Sequence, residues 1–217
     1  CEKATNDYTI GIPKEFMLES IDKSVKNKMD QIIKYFKKNN FKIKEISIPL
    51  AEKSISAYYV LTTAEASSNL SRYDGVVYGA RVNASDIDNM YKNTRTKNFG
   101  EEVKRRIILG TFILSSGYYD SYYSKALKVR RLIKNQFVNA FEDVDLILTP
   151  TSPSPAFKIG EKIKDPVNMY LSDIFTVPMS LAGVPAMNIP FGENLDGLPI
   201  GIQFASNYFE ENKIFSI

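Results

Sequence analysis

The sequence predicts an α/β layer protein, and two observations predict it. The first fifty residues read as strand, helix, strand, and residues 144–149 form a strand, apolar at Val144 and at Leu146-Ile147-Leu148, of the kind that lies buried in a parallel sheet. Residues 8–12 make the first strand, stopped by Pro13. From Asp22 onward Val25, Met29, Ile32, Ile33 and Phe36 recur at helical spacing with lysines on the opposite face, and Asn39-Asn40 ends the helix. Phe41, Ile43, Ile46 and Ile48 then alternate, with a slip at Lys44-Glu45 that suggests a bulge. Two strands flanking a helix imply a parallel pair and its crossover.

Residues 51–142 read as mostly helical. The segment 54–68 is rich in Ala, Ser and Thr, so a helix there can approach its neighbours closely. Arg72-Tyr73-Asp74-Gly75 is a turn, and residues 79–85 lack periodicity. Residues 85–95 and 101–116 read as two further helices. After a break at Gly117, a long helix carries Tyr122, Ala126, Val129, Ile133, Phe137 and Phe141 on one face. The Lys and Arg between them read as a solvated face rather than a nucleic-acid groove.

The last third changes style. The strand at 144–149 runs into Pro150-Thr151-Ser152-Pro153-Ser154-Pro155, too proline-dense for helix or sheet. Asp165-Pro166 is an N-cap and first-turn pair for a helix through Phe175. Ala182-Gly183-Val184-Pro185 turns into a strand at 186–189, and Asp196-Gly197 makes a hairpin-like turn into a strand at 200–204. Residues 209–217 look like the first turns of a helix.

Composition narrows the chemistry. The 217 residues, 44% of them apolar, suffice for a real core in one domain or one and a half. Zero histidine excludes every imidazole-based triad and zinc sites with His ligands. A single cysteine excludes internal disulfides and Cys-rich metal knuckles, and it fits a reducing compartment. The 28 Lys+Arg and 25 Asp+Glu leave a net charge of +3, which singles out neither nucleic acid nor an anionic membrane. The apolar runs fall well short of the roughly 18 residues that span a bilayer. The expected location is the cytoplasm, or an organellar matrix in a eukaryote.

Several residues invite a chemical reading. Cys1 raises the idea of an N-terminal nucleophile, but the charged lead-in after it reads as exposed, so a free thiol is favoured. Ser20-Ile21-Asp22-Lys23 matches the Ser-x-x-Lys pattern of serine acylases, yet it falls where a helix cap belongs and is rejected. Ser115-Ser116-Gly117 offers hydroxyls with no base nearby, and reads as a helix end. Arg106 precedes a fully apolar stretch: it either grips a carboxylate from a rigid helix or pairs with Glu102 one turn back. Asp173, between Tyr170-Leu171 and Ile174-Phe175, either faces water or pairs with a ligand ammonium. Tyr58 either packs in the core or presents its phenol to a ligand.

Long, mutually ordered runs carry a resemblance over essentially the whole chain. They are Ala64-Glu-Ala-Ser-Ser-Asn-Leu-Ser-Arg-Tyr-Asp-Gly75, Phe99-Gly-Glu-Glu-Val-Lys-Arg-Arg106, Leu114-Ser-Ser-Gly-Tyr-Tyr-Asp120, Thr149-Pro-Thr-Ser-Pro153, Tyr170-Leu-Ser-Asp-Ile-Phe-Thr-Val-Pro178 and Gly197-Leu-Pro-Ile-Gly-Ile-Gln203. The chain resembles the amidase signature family and, within it, the A subunits of glutamyl-tRNA(Gln) amidotransferases. The resemblance implies an α/β/α sandwich with a mixed sheet and helices on both faces. It also implies a glutaminase that supplies ammonia for converting Glu-tRNA(Gln) to Gln-tRNA(Gln), a carbon–nitrogen ligation with glutamine as amide donor. B and C subunits would be its partners. ATP and Mg would be used by a partner subunit, with no cofactor on this chain and no membrane partner.

Members of that family use a Ser–cis-Ser–Lys triad, an arrangement that works without histidine. No Gly-Ser-Ser-Gly segment occurs in these residues, so no catalytic residue carries over. Residues 1–217 therefore read as the C-terminal part of a single amidase domain, lacking the catalytic N-terminal half. The residues that transfer are those of a glutamine pocket: Arg106 for the α-carboxylate, Asp173 for the α-ammonium and Tyr58 for the substrate's polar end. Alone, the chain is expected to be inactive and, with a sheet edge exposed, prone to self-association. The alternatives are a non-catalytic docking module for partner subunits or tRNA, or part of another amidase of the same family.

Overall fold

The structure is a computed structural model that describes residues 7–17, 21–161 and 166–217. It falls into two compact units, one made of residues 1–55 and 129–217 and the other of residues 56–128.

The first unit is built on a five-stranded mixed sheet. Its strands are β1 (Thr9–Pro13), β2 (Lys42–Ile46), β3 (Leu146–Pro150), β4 (Ala186–Glu193) and β5 (Pro199–Ser206). They lie in the order β2-β1-β3-β5-β4, with the pairs next to β1 parallel and the pairs next to β5 antiparallel. Helix α1 (Lys23–Lys38) is the crossover between β1 and β2. Asp22 caps it by accepting the Ser24 N–H at 2.8 Å, and Asn40 leaves it at φ 65°. Pairing of β1 with β2 runs in unbroken register from Thr9–Lys42 to Pro13–Ile46, so Lys44-Glu45 forms no bulge. The irregularity lies in β4 instead, between Pro190 and Glu193.

One face of the sheet presents Ile10, Ile12, Leu146, Leu148, Ile202 and Phe204 to Met29, Ile32 and Phe36 of α1 and to Ile214 of the short helix α8 (Glu211–Phe215). Side chains alternate along a strand, so Ile147 and Ala205 point the other way, and both are fully buried too. Helix α5 (Lys125–Ala140) carries Ile133 and Phe137, each with no exposed surface. The helix expected through Phe175 stops early: α6 (Pro166–Leu171) gives way to turns, and a further helix, α7 (Val177–Ala182), follows. Pro178 in the first turn of α7 fixes the restart, and Gly183 at φ 75° ends it.

The second unit is helical. It holds most of α2 (Ser54–Asn69), all of α3 (Ile87–Asn98) and α4 (Glu101–Leu114), and a π-helical turn at Asp120–Ser124 where the sequence suggested uninterrupted α5. The small residues of α2 do what their size allows. A Cβ on Gly110 of α4 would sit 2.0 Å from the Thr63 carbonyl oxygen, so the two helix backbones touch at this glycine. The non-periodic stretch 73–86 is ordered by polar contacts. Asp74 accepts from the Val76 and Val77 N–H groups, Arg81 donates to the Gly75 carbonyl, and Arg95 donates to the Leu70 and Tyr73 carbonyls.

Gly110→Ala is expected to destabilise the protein by about 1–3 kcal/mol through overpacking against Thr63, although Ala is the better helix former by about 1 kcal/mol. Urea unfolding measures the sign, and a gain in stability would contradict the close helix contact.

Two carboxylates tie the sheet unit together. Asp145 accepts the Thr9 N–H at 3.0 Å and the Lys213 ammonium at 2.9 Å. Glu15 accepts the Ile48 N–H at 2.8 Å and the Ser47 hydroxyl at 2.5 Å. Burial alone would push both up, but these donors outweigh it and hold each below the usual carboxylate range. Folded values below the unfolded ones mean that this stability is present above about pH 4 and lost as pH falls through the folded values. Asp145→Asn is expected to cost about 1 kcal/mol at pH 7, allowing for its partial exposure, and the difference from wild type should shrink towards pH 3. Unfolding midpoints measured across that range check both the sign and the window.

Candidate functional site

Tyr58 and Arg106 both lie in the helical unit, Tyr58 on α2 and Arg106 on α4. The apolar and small residues of α2 and the closeness enforced at Gly110 bring these two helices side by side. Arg106 is half-buried, its side chain 32% exposed. Its Nε donates to Glu102 Oε1 at 2.9 Å, one turn earlier, and the other oxygen of Glu102 accepts from Arg105 at 2.7 Å. The Arg106 guanidinium also stands over the Tyr59 ring, 5.6 Å from its centroid, within the range of a cation–π attraction. Tyr59 in turn meets Tyr58 edge to face at 5.3 Å. A continuous line of contacts therefore runs from Glu102 through Arg106 and Tyr59 to Tyr58. The pairing with Glu102 anticipated as one reading of Arg106 is formed, on a side chain that is also stacked and half-withdrawn from water. Tyr58 is itself half-buried rather than sealed in the core.

Asp173 lies in the sheet unit, in the run of turns between α6 and α7, and its side chain is exposed. Its backbone is firmly held. The Asp173 carbonyl accepts from Thr176 N, Val177 N and Thr176 Oγ1 at 3.0–3.2 Å, and its N–H donates to the Tyr170 carbonyl at 3.1 Å. Two residues on, Phe175 is fully buried and packs at 5.6 Å against Phe16. The carboxylate thus projects outward from an anchored turn.

A concavity of about 340 Å³ opens at the C-terminal end of β3, lined by Thr151, Ser152, Ser154, Phe157, Asn188 and Gly201 among others. The proline-rich loop that forms its wall is tied down where Asp22 N–H donates to the Pro153 carbonyl at 2.9 Å and Thr151 N–H to the Gly201 carbonyl at 3.2 Å. Ligands of open α/β sheets commonly sit beyond such strand ends. Asp173 does not line this concavity.

The remaining sequence candidates separate cleanly. Cys1 and Ser20 lie outside the described residues, while Asp22 acts as the cap of α1. Ser115 closes α4, its hydroxyl donating to the Phe112 carbonyl at 2.7 Å. Among the described residues no group of three or more Cys, Asp or Glu side chains is arranged to hold a metal ion, and no helix is long and apolar enough to cross a membrane. None of Tyr58, Arg106 and Asp173 is a serine or lysine, so what they offer is recognition of charge and of polar groups. Sequence reasoning passed over Tyr59, which differs from Tyr58 only in the direction it leaves the helix, and Gln203, a lone amide between Ile202 and Phe204. The second left a signal: a polar residue in an otherwise apolar strand must find partners.

Residues 1–215 match the family model described as Amidase. The chain belongs to the amidase family. It is 53% identical over 209 residues to the A subunit of glutamyl-tRNA(Gln) amidotransferase from Clostridium botulinum (strain Kyoto / Type A2), covering 96% of this chain and 43% of that protein. It is 53% identical over 215 residues to the protein of the same name from Thermodesulfovibrio yellowstonii, covering 99% and 44%. The crystal structure of the A subunit of glutamyl-tRNA(Gln) amidotransferase from Thermotoga maritima superposes with a TM-score of 0.74 at 38% identity, over 99% of this chain and 42% of that one. A further amidase crystal structure, 22% identical with a TM-score of 0.76, shares the fold. The mixed sheet with its helices is thus the amidase α/β fold, and the chain spans less than half the length of the amidases it matches.

Proposed function

We propose that this amidase chain contributes the amino-acid-binding part of a glutamine-hydrolysing subunit in a glutamyl-tRNA(Gln) amidotransferase. The observation that carries the reading is 53% identity, over nearly the whole chain, to A subunits of enzymes of that name. In this reading the complete subunit releases ammonia from glutamine, and partner B and C subunits use it, with ATP and Mg, to amidate the glutamate carried by tRNA(Gln). The acyl transfer belongs to the family's serine–lysine chemistry, which Tyr58, Arg106 and Asp173 do not supply. Residues 1–217 then serve as the C-terminal part of one amidase domain, working in the cytoplasm or an organellar matrix.

The role of each residue follows from its chemistry. Arg106 presents a planar guanidinium that suits the α-carboxylate of glutamine, and Glu102 and Tyr59 orient it before substrate arrives. Asp173 offers an exposed carboxylate on an anchored turn for the α-ammonium. Tyr58 offers a phenol to the polar end of the substrate. Charges of opposite sign at the two ends separate a free α-amino acid from a simple amide.

Arg106→Ala and Asp173→Asn, each in the assembled amidotransferase, are expected to raise KM for glutamine about 10- to 100-fold. That is the range of one charge-assisted hydrogen bond of about 1.5–3 kcal/mol. The ATP-dependent amidation of Glu-tRNA(Gln) with added ammonium should persist in both variants. Steady-state kinetics with each nitrogen donor make the comparison. Unchanged KM for glutamine in both variants would refute the pocket assignment and favour a chain that only docks partners.

A further inference from the structure

Gln203 lies in the middle of β5 and is 6% exposed. An amide buried at that depth costs several kcal/mol unless its polar atoms find partners. Its Nε2 donates twice. One bond, at 3.1 Å, goes to Thr149 Oγ1 on β3, directly opposite in the antiparallel register and itself fully buried. The other, also at 3.1 Å, leaves the sheet and ends on the Phe175 carbonyl. The first bond joins two strands that five register pairs already join. The second joins the sheet to the turn that carries Asp173, and backbone pairing does not duplicate it.

That turn transmits position well. Asp173, Phe175, Thr176 and Val177 belong to one run of interlocked turns. The Asp173 carbonyl accepts both the Thr176 and Val177 N–H groups, and the Phe175 ring is sealed against Phe16. Pinning the Phe175 carbonyl fixes the peptide two residues from Asp173, and with it the direction of the exposed carboxylate. Placement to within about half an ångström separates a working charge contact from a loose one.

We infer that Gln203 is a positioning residue: its bond to the Phe175 carbonyl sets the Asp173 carboxylate for the α-ammonium of the substrate, and so contributes to selecting a free amino acid over a simple amide. The inference rests on the proposed role of Asp173, and the test separates the two. The readout is the ratio of kcat/KM for glutamine to kcat/KM for 4-carbamoylbutanoate, in the assembled amidotransferase. The second compound keeps the amide and the carboxylate of glutamine but lacks its α-amino group. A merely structural role lowers both values together and leaves the ratio alone.

Asp173→Asn is expected to lower the ratio at least 10-fold, mainly through KM for glutamine. Gln203→Met, which fills a similar volume without donors, should lower it about 5- to 10-fold. The double variant should fall no further than Asp173→Asn, because both changes remove one interaction. Thr149→Val, which removes the other partner of Gln203, should lower the unfolding midpoint and leave the ratio unchanged. If Gln203→Met does not fold, Gln203→Asn replaces it, since that side chain stays polar but falls one methylene short of Phe175. A ratio that responds to Asp173→Asn but not to Gln203→Met or Gln203→Asn overturns the inference and leaves the binding role of Asp173 standing. A ratio that ignores Asp173→Asn overturns that role itself, and the inference with it.

Discussion

The sheet unit depends on β3. All five of its residues are buried, and it is the strand at which the parallel half of the sheet, β2 and β1, meets the antiparallel half, β5 and β4. Leu146 and Leu148 enter the core shared with α1, while Ile147 enters the opposite face. Each such side chain contributes about 1.5–3 kcal/mol by leaving water, a large share of the 5–15 kcal/mol that holds a typical domain folded. The next residue breaks the apolar run. Thr149 is as deeply buried as its neighbours, and its hydroxyl is acceptable there because Gln203 donates to it. The strand that builds the core thereby also holds the amide that reaches the Asp173 turn.

Polar residues order the chain wherever apolar periodicity fails. Residues 73–86 have no helical or strand pattern, yet Asp74, Arg81 and Arg95 supply backbone groups there with partners. The turns around Asp173 follow the same logic, with their backbone bonds supplemented by Thr176 Oγ1 on the Asp173 carbonyl and Gln203 Nε2 on the Phe175 carbonyl. Such segments can offer a charged side chain to solvent without losing its place, which a helix interior does less flexibly and a floppy loop does not do at all.

Regular elements were legible where one period ruled. Val25, Met29, Ile32 and Phe36 announced α1, and Leu146-Ile147-Leu148 within the strand read at 144–149 announced β3. The hairpin at Asp196-Gly197 also formed, with strands longer than the apolar residues alone suggested, because Pro190 and Glu193 flank an irregular pairing that extends β4. The end of α6 at Leu171 was not legible: the sequence reads as one helix from Pro166 through Phe175. What ends α6 is the set of turns that buries Phe175, a tertiary contact with Phe16 that no local pattern encodes. The apparent slip at Lys44-Glu45 misled for the converse reason. β2 is an edge strand, largely exposed, so its side chains need not alternate strictly for its register to hold. Of the candidate site residues, the surroundings were not legible. Arg106 could be matched with Glu102 by spacing, but its stacking on Tyr59 depends on how α2 meets α4 at Gly110.

The two readings that the sequence allowed for Arg106 are compatible once their energies are compared. Glu102 does take its Nε, as a one-turn ion pair would. With the two side chains 32% and 44% exposed, that pair is worth roughly 0.2–1 kcal/mol, too little to make it a significant source of stability. Its larger effect is on entropy. A free arginine side chain carries about 2 kcal/mol of rotamer freedom, which a carboxylate ligand would otherwise have to overcome on binding. Glu102 on one edge and the Tyr59 ring beneath remove much of that freedom during folding. The remaining cost at the moment of binding is correspondingly smaller. In the role proposed for Arg106, the contact that makes it look like an ordinary helix-surface residue is therefore also the one that prepares it for a carboxylate.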